Sequence, residues 1–189
     1  MKKVENVKYS TALVFAILVS VGCSKQEPQT EISVNVSTKT SESNTKVTIS
    51  DESFPEAPDF VLSDLSGKPV QLSEFKGKMV ILNFWATWCG PCREEIPDFV
   101  DLYKKHMDKG LVIIGISLDQ AGGDMVKAFV SRYKMNYPVL LTDNQVDNIY
   151  GGVYVIPTTF IISRNGRVVN KIIGNPGIEA FKREIDQWL

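Results

Sequence analysis

Asn83-Phe84-Trp85-Ala86-Thr87-Trp88-Cys89-Gly90-Pro91-Cys92 is the stretch on which the reading of this chain turns. It grows out of Met79-Val80-Ile81-Leu82-Asn83-Phe84, an apolar run of the kind that forms a buried strand, and a helix is expected to begin near Cys89. A Cys-x-x-Cys placed after a strand and at the start of a helix has a specific chemical use. The helix N-terminus presents unsatisfied N–H groups and the positive end of its macrodipole, and both favour a thiolate on Cys89. Its pKa should then lie below the roughly 8.5 of a free thiol. Cys92, one turn further on, is placed to resolve a mixed disulfide formed by Cys89. Gly90 and Pro91 permit the tight turn, and proline suits the first turn of a helix. Two plainer readings compete: a permanently oxidised structural pair, and half of a zinc site. Zinc asks for about four ligands, and only His106 and carboxylates remain to supply them.

Outward from this segment the order of elements becomes readable. Phe60-Val61-Leu62 and Val70-Gln71-Leu72 flank Asp64-Leu65-Ser66-Gly67, which predicts a hairpin with a glycine turn. Leu111 to Ile116 is apolar enough for a central strand covered on both faces. Met125, Phe129 and Tyr133 recur at four-residue spacing on an expected helix. Val139-Leu140-Leu141 reads as a strand, with a short helix over Val146 to Tyr150. Thr159-Phe160-Ile161-Ile162 and Val168 to Ile173 enclose Arg164-Asn165-Gly166, a strong hairpin signal. Ile178, Phe181, Ile185 and Leu189 mark an amphipathic C-terminal helix. This order implies an α/β domain, a mixed central sheet with helices on both faces.

The chain has 189 residues, 21 Lys plus Arg against 22 Asp plus Glu, one His and three Cys. That length favours one domain with extra segments. A net charge of −1 offers no broad basic field for phosphate backbones, so nucleic acid is not an expected partner. Three cysteines are too few for a disulfide-built scaffold. One histidine leaves little for a metal centre or a Ser-His-Asp relay. Gly77-Lys78 lacks the earlier Gly and following Ser/Thr of a phosphate loop. No cofactor and no metal is expected.

The front of the chain has a different character. Lys2, Lys3 and Lys8 precede the apolar run Thr11 to Val21, and Gly22 is small, as an export signal requires. The run falls short of the roughly 20 residues needed to span a bilayer. Val19-Ser20-Val21-Gly22-Cys23 resembles a bacterial lipoprotein processing site, although Ser20 stands where that family usually has Leu. The resemblance implies that residues 1–22 are a signal peptide and that Cys23 is lipidated and becomes the mature N-terminus. Between Ser33 and Ser53, ten of 21 positions are Ser or Thr, too polar to offset the entropy of ordering. Residues 23–53 thus read as a lipidated start and a flexible linker, with a reach of about 30 Å. Ile32, Val34, Val36, Val47 and Ile49 alternate as in a small hairpin, the competing reading. The remaining residues, 54–189, form the folded domain.

Within that domain a family resemblance is plain. Trp88-Cys89-Gly90-Pro91-Cys92 matches the thioredoxin active-site motif letter for letter. The run Asn83 to Pro97, with Arg93-Glu94-Glu95-Ile96-Pro97, resembles the membrane-tethered TlpA/ResA branch of the thioredoxin superfamily. So does the lead-in from Pro58-Asp59-Phe60 to Leu72-Ser73-Glu74-Phe75-Lys76-Gly77-Lys78. The resemblance implies a thioredoxin-like fold with an added N-terminal hairpin and an extra element between Leu111 and Leu141. It implies that Ile156-Pro157-Thr158 forms a cis-proline loop facing the cysteines, where the backbone pairs with a bound peptide. Trp88, Gly90, Pro91, Ile156 and Pro157 are then the expected substrate contacts. Thioredoxin has a buried Asp where this chain has Asn83. Glu95, three residues after Cys92 and on the same helix face, matches a functional Glu of TlpA/ResA relatives and is the expected proton-handling carboxylate. Pro97 is expected to kink the helix. Trp85 is expected in the core, Trp88 on the rim and His106 in solvent.

The activity implied is thiol-disulfide exchange outside the cytoplasm, on a membrane-anchored lipoprotein of the cell envelope, facing the periplasm where there are two membranes. The expected substrates are protein disulfides, with apocytochrome c before haem attachment as one target and a transmembrane thiol relay as electron donor. The Gly90-Pro91 dipeptide is that of thioredoxin, near −270 mV, rather than of an oxidant near −120 mV, which predicts a reductant. Two other functions compete. Ala57 to Lys78 also resembles the opening of peroxiredoxins, but Leu82 and Ala86 stand where their motif has Pro and Thr. A non-enzymatic lipoprotein scaffold, binding extended peptides near Pro157, is the other.

Overall fold

Two strands, β3 (Met79–Trp85) and β4 (Leu111–Ser117), are buried at every one of their seven positions. They pair in parallel, in register from Met79↔Leu111 to Trp85↔Ser117. Unbroken apolar strands of this kind need cover on both faces. The computed structural model describes residues 50–120 and 122–189. The expected signal peptide, Cys23, and the linker with its alternating Ile32, Val34, Val36, Val47 and Ile49 lie outside the described residues.

The full sheet has the order β5-β4-β3-β6-β7. Strand β5 (Val139–Leu141) runs parallel to β4, while β6 (Thr158–Ile162) is antiparallel to β3 and β7 (Val168–Ile173) to β6. A separate antiparallel hairpin, β1 (Val61–Ser63) and β2 (Pro69–Gln71), precedes them. The element expected between Leu111 and Leu141 is the helix α2 (Gly123–Tyr133), leading into β5. The sheet is therefore mixed, as the order of apolar runs implied.

The two faces are covered unequally. Met79, Ile81 and Trp85 of β3 pack with Ile96, Phe99 and Leu102 of α1 (Gly90–His106), Val126 of α2, and Phe181 and Ile185 of α4 (Ile178–Trp188). Val80, Leu82 and Phe84 point the other way, as period-two alternation requires. They meet Phe60 and Leu62 of the hairpin, Leu72 of a 3-10 turn, and Val146 of the one-turn α3 (Val146–Ile149) with its neighbour Tyr150. One face is thus helical, and the other is closed mainly by the added hairpin.

One local expectation changes. On α2 the buried residue is Val126, whereas Met125 is exposed and Phe129 stacks on Tyr133 with ring centroids 4.1 Å apart. Helix α1 runs on through Pro97 to His106. Asp51 takes part in the folded unit: its buried carboxylate accepts hydrogen bonds from Ser163 and from Asn165 Nδ2. No described helix is long and apolar enough to cross a membrane.

Candidate active site

Strand β3 ends at Trp85, and the chain turns through Ala86, Thr87 and Trp88 into α1. The turn is closed by the Cys89 N–H donating to the Ala86 carbonyl at 3.1 Å. Cys89 is the N-cap, in extended conformation, and its Sγ accepts the Cys92 N–H at 3.2 Å. An N-cap acceptor satisfies one of the orphan donors of the first turn, here with sulfur in place of the usual oxygen. Pro91 occupies the first turn, where it has no helical N–H to lose. Gly90 has open space around its α-carbon and no positive φ, so the backbone does not require glycine there.

Cys89 and Cys92 are joined by a disulfide, with S–S 2.05 Å and Cα–Cα 5.3 Å. Cys92 is fully buried and Cys89 is 5% exposed, so Cys89 is the sulfur that reaches the surface. The Ile156-Pro157 bond is cis, and the Ile156 carbonyl oxygen lies 3.7 Å from Cys89 Sγ. The cysteine pair and the proline loop, far apart in sequence, do face each other. Trp88 stands beside Cys89 and is 68% exposed, while Trp85 is buried against Phe129. Both tryptophans lie where the sequence placed them.

Glu95, three residues after Cys92 on α1, is 1% exposed. Asn83 Nδ2 donates to Glu95 Oε1 at 2.8 Å and to Thr159 Oγ1 at 3.0 Å. Glu95 Oε2 has no partner among the described residues. Burial pushes the Glu95 pKa up to about 8; the Asn83 hydrogen bond opposes the rise and the Asp98 charge adds to it. A carboxylate starved of donors in a dry site keeps its proton near neutrality. Asn83, read as the loss of thioredoxin's buried acid, is thus the donor to Glu95 among the described residues. Burial also raises the Tyr137 hydroxyl, and the neighbouring Glu95 contributes to that.

His106 departs from expectation. It is half-buried rather than in solvent, its Nδ1 is enclosed without a partner among the described residues, and burial lowers its pKa. It lies at the far end of α1 from the cysteines. Among the described residues no group of three or more His, Cys, Asp or Glu side chains could hold a metal ion. Leu82 and Ala86, at the positions a peroxiredoxin motif gives to Pro and Thr, are fully buried apolar side chains.

Several neighbours of the site escaped the sequence reading. Tyr154 and Val155, just before the cis bond, are 90% and 56% exposed. Thr159 pairs with Asn83 across the sheet. Asp119 accepts hydrogen bonds from Thr87 N–H and Thr87 Oγ1 at 3.0 and 2.6 Å. Tyr154-Val155 next to Ile156-Pro157 was a readable signal, an apolar pair leading into the proline loop; Asp119 carried none.

Comparison with known proteins agrees with this geometry. Residues 55–171 match the AhpC/TSA family. A thiol-disulfide oxidoreductase ResA from Bacillus thuringiensis (strain Al Hakam) is 43% identical over 136 residues, covering 71% of this chain and 75% of the relative. ResA from Geobacillus kaustophilus (strain HTA426) is 33% identical over 187 residues, 98% of each chain. Among solved structures, a thiol:disulfide interchange protein of the thioredoxin family from Chlorobium tepidum TLS superposes with a TM-score of 0.66 at 33% identity. That alignment covers 71% of this chain and 96% of the other. The chain belongs to the AhpC/TSA family, with a thioredoxin-like fold, and within it to the thiol-disulfide oxidoreductases of ResA type.

Proposed function

We propose that the protein is a reductant of protein disulfides outside the cytoplasm, with Cys89 as nucleophile, Cys92 as resolving thiol and Glu95 as the group that moves the Cys92 proton. The observation that carries this reading is the position of Cys89 Sγ, capping α1 over the Cys92 N–H and facing the cis Ile156-Pro157 bond. In the reduced protein the Cys89 thiolate attacks one sulfur of a target disulfide. A Cys89–target mixed disulfide forms, and the other target sulfur leaves as a thiolate and takes a proton from solvent. Ionised Glu95 removes the Cys92 proton, and the Cys92 thiolate attacks Cys89 Sγ. The second target sulfur leaves with the electron pair, and the dithiol ends as the disulfide. Two electrons and two protons from a transmembrane thiol relay restore it. A Glu95 pKa of about 8 suits this step, because the carboxyl both holds and releases a proton near neutral pH.

Exposed Trp88, Tyr154 and Val155 form a rim on which an extended polypeptide would lie, its backbone pairing beside Pro157. The same reading takes residues 1–22 as a signal peptide, Cys23 as the lipid attachment site and residues 23–53 as the tether of a domain at 54–189. Among target proteins it favours apocytochrome c, whose paired cysteines must be reduced before haem attachment. The test is trapping in cells. The full chain carrying Cys92→Ser should accumulate mixed disulfides through Cys89 with envelope proteins, released by dithiothreitol and absent in Cys89→Ser. A Cys92→Ser protein that captures no envelope protein would remove the protein-disulfide substrate.

A further inference from the structure

The turn that delivers Cys89 is held from outside by the exit of β4. The Leu118 N–H donates to the Trp85 carbonyl at 2.9 Å. One residue on, the Asp119 carboxylate, 8% exposed, takes three hydrogen bonds. Thr87 gives it both the backbone N–H at 3.0 Å and the hydroxyl at 2.6 Å, and Ser117 Oγ donates at 2.8 Å. The Asp119 N–H returns a bond to Ser117 Oγ at 3.2 Å, which fixes the carboxylate to the strand end. Both carboxylate oxygens are therefore used, and both reach Thr87.

We propose that Asp119 is a positioning residue for thiol-disulfide exchange, holding Thr87 so that Cys89 Sγ stays over the Cys92 N–H and opposite the Ile156 carbonyl. Within the turn itself only the Cys89 N–H to Ala86 carbonyl bond closes the chain. Thr87 lies between those two residues, so the Asp119 contacts brace the turn at its middle. A buried acid with three donors is saturated; it touches neither cysteine through a hydrogen bond and acts through Thr87. Small displacements of a reacting atom cost rate steeply, and a buried brace of this kind limits them. The inference rests on Cys89 as the attacking thiol.

The test uses the full chain in detergent. Two rates are read on reduced protein: kcat/KM for insulin disulfide reduction, and alkylation of Cys89 by iodoacetamide. Asp119→Asn should lower both by about tenfold and Thr87→Val by about threefold, because misplacement is felt in rate. Thr87→Ser, which keeps both donors, should stay within about twofold of the parent. The double variant Thr87→Val/Asp119→Asn should be no slower than Asp119→Asn, since the two act through one contact. A merely structural Asp119 would lower the melting temperature while leaving both rates within twofold, and that result overturns the proposal. Losses that multiply in the double variant overturn it too. Should Asp119→Asn fail to fold, Thr87→Val against Thr87→Ser decides: a loss with valine that serine restores supports the brace, and equal rates refute it. A parent that alkylates at Cys89 but reduces no disulfide would count against the substrate reading alone, and the alkylation rates would still judge Asp119.

Discussion

Two buried carboxyl groups sit near opposite ends of the central sheet and are treated in opposite ways. Asp51, beside the β6–β7 turn, accepts from Ser163 and from Asn165 Nδ2, and those bonds hold its pKa below the usual carboxylate range. Around it Arg167 donates to the Phe54 carbonyl at 2.6 Å, and the Val168 N–H to that of Pro55 at 2.9 Å. Arg164, in the same turn, donates to the carbonyls of Gly77 and Lys109. Glu95, on α1, has one donor on one oxygen and none on the other among the described residues, and burial raises its pKa to about 8. A saturated carboxylate fastens chain to chain, while an undersupplied one is left able to titrate where the chemistry runs. Burial dominates at Glu95, where the Asn83 hydrogen bond offsets it only in part, while at Asp51 the Ser163 and Asn165 hydrogen bonds outweigh burial.

The widest gap between the two ends should be in activity. Cys89→Ser should lower insulin disulfide reduction by about a thousandfold or more, since Cys92, the other thiol of the pair, is fully buried. Asp51→Ala should leave the same rate within about twofold; a tenfold loss there would mean that the ends are coupled.

Next in size is the dependence of stability on pH. Glu95 has a folded pKa above its unfolded value, so its contribution is fully present below about 4.5 and is lost as pH rises through about 8. At about 1.4 kcal/mol per unit, the loss is on the order of a few kcal/mol. Asp51 is depressed, so its contribution is present above the ordinary carboxylate range and lost as pH falls through its lowered folded value. Urea unfolding of the oxidised chain from pH 4 to 9 should therefore show Glu95→Gln flattening the alkaline side only. An unchanged alkaline slope in Glu95→Gln would contradict the raised pKa.

Smaller still is the cost of opening the clamp. Asp51→Ala leaves the buried Ser163 hydroxyl without its acceptor, worth about 1–3 kcal/mol of unfolding free energy by urea titration. The reduction potential should not move. Least in stability, and confined to binding, is Trp88→Ala. With 68% of its surface in solvent, Trp88 adds little to the core. Its loss should raise KM for a protein disulfide by about three- to tenfold, with the melting temperature within a degree or two. A drop of many degrees would make Trp88 a core residue instead.

The cysteine end was legible because its information is local. Strand, turn, thiols and helix start occupy consecutive residues, and Ile156-Pro157 carries its own signature. What stayed hidden depends on partners distant in sequence. Thr87 and Asp119 are 32 residues apart, Asn83 and Thr159 are 76, and Asp51 and Ser163 are 112. Polar residues in one sequence do not announce which others they will meet after folding. Met125 misled for a different reason. Steps of four residues drift about 40° per step around a helix, so Met125, Phe129 and Tyr133 trace a slant, and the line toward the sheet runs through Val126. His106 looked solvated beside Lys104 and Lys105, yet one ring nitrogen is enclosed in the packed protein.

The central claim is that this dithiol is built to reduce. Its most direct test is the midpoint potential of the Cys89–Cys92 pair in the full chain, equilibrated against glutathione buffers and read by tryptophan fluorescence. A midpoint below about −230 mV, in the thioredoxin-to-glutaredoxin range, is the result predicted. A midpoint near −120 mV, that of a strong oxidant, would contradict it and remove apocytochrome c reduction as the protein's work.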